Sequence, residues 1–120
     1  EKGYVVTLLN RRRYIPEILS PQMALRQFAQ RQAINTPVQG SAADLIKLAM
    51  IRIDRELTAG KMASRMIISV HDELVFDVPA GEEKHLVEMI RPQMEQALDL
   101  AVPVKVTIKK GPNWLEMRAI

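Results

Sequence analysis

Two apolar runs in the second half of the chain, Met66-Ile67-Ile68-Ser69-Val70 and Leu74-Val75-Phe76-Asp77-Val78, are separated by the polar residues His71-Asp72-Glu73. An ionised carboxylate in the middle of a buried strand costs several kcal/mol unless it is paired. The pattern therefore reads as a tight hairpin with His-Asp-Glu at its tip. A carboxylate held on a rigid tip is a hard ligand suited to Mg²⁺, which takes carboxylate oxygens and keeps several of its waters. Along a strand successive side chains alternate sides, so His71 and Glu73 would oppose Asp72 unless the tip bends. Asp also favours turns through local hydrogen bonding, and spacing alone favours an ordinary turn residue as the account of Asp72. His71 could donate to a phosphate or sugar, or be a satisfied turn residue. His71 and His85 have no recognised zinc spacing, and His85 reads as a surface helix residue.

Arg31, Asn35 and Gln39 recur every four residues and would share one face of a continuous helix, although Pro37 implies a break after Asn35. These are residue types that read base edges and phosphates. Each has a plain alternative: Arg31 a solvated charge, Asn35 a helix C-cap, Gln39 the return partner of a Thr36 capping box. Ser41, in Gly40-Ser41-Ala42-Ala43, has no strand placed before it to make a nucleophile turn, and the lone glycines form no phosphate-binding loop.

The elements that must position these residues follow from pattern. Tyr4–Leu9 and Arg13–Pro16 read as a hairpin with a basic tip at Asn10-Arg11-Arg12. Ser20-Pro21 starts a helix running to about Ile34. Thr36-Pro37-Val38-Gln39 starts another, with Ala42, Leu45, Ile46, Ala49, Ile53 and Leu57 on its apolar face and Gly60 as its stop. After the 66–78 hairpin, residues 82–99 return to helical spacing, with a kink expected at Pro92. Val102 to Lys109 alternates as a strand, and Gly111-Pro112-Asn113-Trp114 makes a turn. The expected architecture is α+β, an antiparallel sheet with helices packed on one side.

At 120 residues the chain fits one domain or part of one, read as a single unit over 1–120. A hydrophobic fraction of 48% with a net charge of +3 argues against disorder. The absence of cysteine removes disulfides, thiolate catalysis and Cys-based zinc sites. No stretch approaches the roughly 18 apolar residues of a membrane span and no signal-peptide pattern opens the chain, so a soluble, cytosolic protein with no membrane partner is expected. The first residue is Glu rather than Met, as expected of a segment of something longer. Residues 1–60 hold nine Lys/Arg against five Asp/Glu, including Arg11-Arg12-Arg13, Arg26 and Arg31, while residues 61–120 hold eight against nine. The lean suits a polyanionic partner, and a solvated basic loop accounts for the triplet equally well.

Val70-His71-Asp72-Glu73-Leu74-Val75-Phe76, preceded by Arg31-Gln-Ala-Ile-Asn35-Thr-Pro-Val-Gln39-Gly-Ser-Ala-Ala-Asp44, resembles the C-terminal palm part of family A DNA polymerases, the bacterial DNA polymerase I group. Tyr4-Val-Val-Thr-Leu, Arg12-Arg-Tyr-Ile-Pro16 and Asn113-Trp114 extend the resemblance over essentially the whole chain. It implies template-directed DNA synthesis: a primer 3′-hydroxyl attacks the α-phosphate of an incoming dNTP and pyrophosphate leaves. It also implies that Asp72 is one of two aspartates holding a catalytic Mg²⁺ pair, that Glu73 lies near the metals, and that His71 stands close to the primer terminus. Arg31, Asn35 and Gln39 would contact the primer–template from the minor-groove side, whose acceptors are nearly independent of sequence. Arg26 is a further DNA contact on the same resemblance, and a bacterial, nucleoid-associated location is implied.

The family's partner aspartate, carried in an Asp-Tyr-Ser-type motif, is absent, as is the fingers helix whose Lys, Arg and Tyr grip the nucleotide. Met117-Arg118-Ala119-Ile120 also lacks the common His-ending tail. The chain thus holds about half an active site, is expected to be inert alone, and needs the remainder of a polymerase chain as partner. A non-enzymatic DNA-binding polymerase remnant is the rival expectation. A self-contained Mg²⁺ phosphohydrolase would need a second carboxylate that the sequence does not identify.

Overall fold

The computed structural model describes residues 3–120, and the chain divides into two compact units, Glu1–Leu45 and Ile46–Ile120. In the first unit, β1 (Tyr4–Val6) pairs antiparallel with β2 (Arg12–Tyr14), Tyr4 opposite Tyr14. The two tyrosine rings meet edge to face at 5.7 Å, and the Arg12 guanidinium lies 5.0 Å over the Tyr4 ring. This hairpin is shorter than the expected one. Thr7 leaves the ladder: its N–H donates to the Arg11 carbonyl, its carbonyl accepts from Asn10, and its hydroxyl accepts from the Arg11 N–H. Asn10, at φ 60°, supplies the left-handed residue that closes the loop. The chain then passes through buried Ile15 and a 3₁₀ turn, Pro16–Leu19.

Helix α1 is a single element, Met23–Ala59, where the sequence pattern predicts two. It starts two residues after Pro21, with the Ser20 hydroxyl accepting from the Gln22 N–H. The expected break at Thr36-Pro37 does not occur. Thr36 is buried in the helix instead of capping one, and Pro37 lies inside it. An internal proline removes one backbone bond and costs roughly 3 kcal/mol, which tertiary packing must offset for the helix to continue. Of the expected apolar face, Leu45, Ala49, Ile53 and Leu57 are buried and Ile46 is half-buried, whereas Ala42 is exposed.

In the second unit, β3 (Arg65–Val70) and β4 (Glu73–Asp77) form an antiparallel hairpin. The register shifts between Met66 and Ile68, a bulge that turns Ile67 outward at 56% exposure. Helix α2 (Glu83–Glu95) buries Leu86, Ile90 and Met94, one residue per turn, and ends earlier than its expected limit at 99. Pro92 sits within α2. From α1, Arg52 Nη1 donates to the carbonyl of Gln96, the residue that caps the end of α2, at 2.8 Å.

The described strands make three two-stranded ribbons instead of one continuous sheet. The reason is visible at Val102–Lys109. Val106 N–H donates to Glu95 Oε1 and its carbonyl accepts from Arg91 Nη1, so side chains four apart on α2 take the bonds a neighbouring strand would have made. Only β5 (Lys109–Lys110) pairs, with β6 (Arg118–Ala119). Between them the Asn113 side chain accepts from the Leu115 and Glu116 N–H groups, and the Glu116 carbonyl packs so close to Gly111 that no Cβ fits there. The fold class is α+β, as expected.

Glu82 joins the start of β3 to the start of α2. Its Oε1 accepts from the Ala63 N–H at 2.9 Å, and its Oε2 accepts from the Ser64 N–H and hydroxyl at 2.8 and 2.5 Å. These bonds, led by that from the Ser64 hydroxyl, hold the Glu82 carboxyl below its ordinary pKa. A depressed carboxylate stabilises the fold above the ordinary Glu range and loses that contribution as pH falls through the folded-state value. Acid titration followed by circular dichroism should therefore show Glu82→Gln losing stability at neutral pH and showing a shallower decline below about pH 4.5 than the parent.

Candidate active-site hairpin and nucleic-acid face

The tip of the β3–β4 hairpin is a two-residue loop, because Val70 and Glu73 form its last cross-strand pair. His71 and Asp72 are the loop, and Glu73 opens β4, so the polar tip is one residue shorter than the sequence pattern suggests. His71 adopts φ 51°, a left-handed conformation uncommon for residues other than Gly, though Asn, Asp and His take it more often than the rest. Positive φ at the first loop position matches the twist of the flanking strands and turns the chain in two residues. His71, Asp72 and Glu73 are all exposed at one hairpin end, backed by half-buried Leu74, Val75 and Phe76.

The second set of candidates lies on α1. With no break at Pro37, Arg31, Asn35 and Gln39 fall on one side of a single helix, each a turn from the next and all exposed. The capping roles that competed for Asn35 and Gln39 disappear, since neither residue is at a helix end. Arg26, nearer the helix start, is also exposed. Position by position, an exposed cation and two exposed amides stand along one side of one helix, a surface able to hydrogen-bond acceptors in sequence.

Among the described residues, no three His, Cys, Asp or Glu side chains converge as a metal cluster. Asp72 fits a hard divalent cation as one exposed carboxylate on a short, rigid turn, with Glu73 as its neighbour. A complete coordination set needs carboxylates from elsewhere. Arg11 and Asp44, which the pattern of chemistry-bearing residues did not single out, form an ion pair at 2.7 Å with Asp44 buried. No local signal marked it: Asp44 falls outside the apolar face expected of this helix, and Lys47, one turn away, is the nearer cation in sequence.

Residues 1–116 match the family model for DNA polymerase family A. DNA polymerase I of Bacillus subtilis is 48% identical over 118 residues, covering 98% of this chain and 13% of that protein. DNA polymerase I of Mycobacterium leprae is 49% identical over 112 residues, covering 93% of this chain and 12% of that protein. Among solved structures, the polymerase domain of Pol1 from M. smegmatis, in complex with a DNA primer-template and dNTP, superposes with a TM-score of 0.84. It is 46% identical, and the match covers 86% of this chain and 18% of that one. The chain belongs to the family A DNA polymerases. It spans about an eighth of the length of the B. subtilis and M. leprae polymerases.

The His71 geometry carries a prediction. A left-handed φ is relieved by glycine, whose lack of Cβ makes that region free of penalty. His71→Gly should leave thermal stability equal to the parent or raise it by up to about 1 kcal/mol, measured by thermal unfolding. A clear loss would mean that the imidazole makes a stabilising contact.

Proposed function

We propose that the chain is the C-terminal palm segment of a bacterial DNA polymerase that extends a primer 3′-hydroxyl with dNTPs under the direction of a template. The observation that carries this reading is Asp72 held exposed on a two-residue hairpin turn, within a sequence that matches the family across nearly its whole length. The primer–template, the incoming dNTP and the remainder of the polymerase chain are its partners, and the bacterial cytoplasm at the nucleoid is its location. Exposed apolar residues on α1, including Phe28, Ile34 and Val38, support its being part of a larger body.

Family A DNA polymerases work with divalent metal ions, and in our reading the ion is Mg²⁺. Asp72 supplies one of its two aspartate ligands, with the other outside residues 3–120. Bound there, Mg²⁺ ions lower the pKa of the attacking hydroxyl and stabilise the leaving oxygens. Glu73 adds negative charge beside that position without itself being the main ligand. His71 faces the primer terminus and hydrogen-bonds its sugar or phosphate. Arg31, Asn35 and Gln39 hold the primer–template from its minor-groove side, and Arg26 adds a backbone contact. Minor-groove acceptors are common to all correct pairs, so this row accepts any sequence that is properly paired. In the reaction the 3′-oxygen forms a bond to the α-phosphorus as the bond to pyrophosphate breaks, and the hydroxyl proton is lost to solvent or a nearby base. Lacking the second aspartate, the segment alone is inert.

In the complete polymerase, Asp72→Ala should cut primer extension at least about a thousandfold while duplex affinity, read by fluorescence anisotropy, stays within about threefold. Extension at the parent rate would remove Asp72 from the metal site. Arg31→Ala should weaken primer–template binding and reduce the slope of log affinity against log salt by about one. An unchanged slope would rule out a phosphate contact there and leave base-edge contact as its role.

A further inference from the structure

Four contacts tie the β1–β2 loop to the turn of α1 that follows Pro37. Arg11 Nη2 lies 2.7 Å from Asp44 Oδ1 and donates to the Gly40 carbonyl at 3.2 Å. The Leu8 N–H donates to Ser41 Oγ at 3.0 Å, and that hydroxyl in turn donates to the Pro37 carbonyl. The buried Thr7 side chain closes on Gly40 so tightly that an added Cβ would lie 2.7 Å from Thr7 Cγ2. We infer that Arg11 and Asp44 are positioning residues which, with the Thr7–Leu8 loop, anchor the turn of α1 that follows Pro37 and so set where Gln39 stands.

Three physical points support the assignment. Pro37 has no N–H, so the Ala33 carbonyl loses its helical donor and the helix is free to bend between Asn35 and Gln39. The anchor grips Gly40, Ser41 and Asp44, on the far side of that weak point and immediately beyond Gln39. The grip is also demanding. Asp44 Oδ2 is buried with no hydrogen-bond partner among the described residues, so Arg11 is the cation that compensates this carboxylate. An ion pair between a buried carboxylate and a half-exposed guanidinium fixes geometry well, because displacing the arginine leaves the carboxylate uncompensated. The inference rests on the proposed reading of Gln39 as a DNA contact.

The test is a double-mutant cycle in the complete polymerase, with primer–template Kd as the readout. Arg11→Ala should weaken binding about tenfold, and adding Gln39→Ala should weaken it no further, because Arg11 acts through Gln39. A role in general stability would instead multiply with Gln39→Ala. Arg11→Ala/Asp44→Asn removes the uncompensated carboxylate, guarding against a variant that fails only by misfolding, and should show the same dependence on Gln39. The inference is overturned if either folded variant binds like the parent, if its effect multiplies with that of Gln39→Ala, or if both variants fail to fold. If Gln39→Ala alone binds normally, the DNA-contact reading of that row fails and the inference falls with it. A defect in Gln39→Ala without one in the Arg11 variants sinks the anchoring role alone.

Discussion

Position 37 has no amide hydrogen to give, and α1 runs through it regardless. A chain with Thr-Pro in its middle has a ready local alternative, a capped stop and a new start, and the helix forgoes it. Thr36 is buried and makes no cap, and the Ser41 hydroxyl on the next turn reaches back to the Pro37 carbonyl. Everything attributed to the row Arg31, Asn35 and Gln39 depends on this continuity. Two helices meeting at a bend would aim the three side chains in different directions, whereas one helix holds them a turn apart.

The hairpin tip works by a similar economy of residues. Two loop positions and one left-handed φ reverse the chain, so the exposed Asp72 sits on the shortest available support. Short supports leave few torsions to fluctuate, which favours a ligand whose position must be accurate to a fraction of an ångström. The root of the same hairpin is fixed by the Glu82 carboxylate, whose oxygens occupy the Ala63 and Ser64 donors as β3 begins. One end of the hairpin is thus satisfied internally and the other left open to solvent and ligands.

Membership in the family A DNA polymerases places these features in a larger protein, of which the chain spans about an eighth by comparison with its relatives. The described strands accord with that. Ribbons of two strands carry unpaired edges, and Ile67 and Ile68 stand exposed on one of them. Isolated two-stranded ribbons are marginal in water, and partners from further chain would complete such edges.

Much was legible from residue types alone. The α+β class, the two apolar strands around His71-Asp72-Glu73, the buried stripe Leu45, Ala49, Ile53 and Leu57, and the family motifs all follow from local periodicity and composition, which act over a few residues. The helix through Pro37, the pairing of Arg11 with Asp44, and the loss of the strand at Val102–Lys109 do not. Each is decided by a partner distant in sequence: the Thr7–Leu8 loop against Gly40 and Ser41, a guanidinium 33 residues from its carboxylate, and the Arg91 and Glu95 side chains that take Val106's backbone bonds. Local propensity sets what a segment would do alone. Where a distant group supplies the missing hydrogen bond or charge, tertiary structure decides.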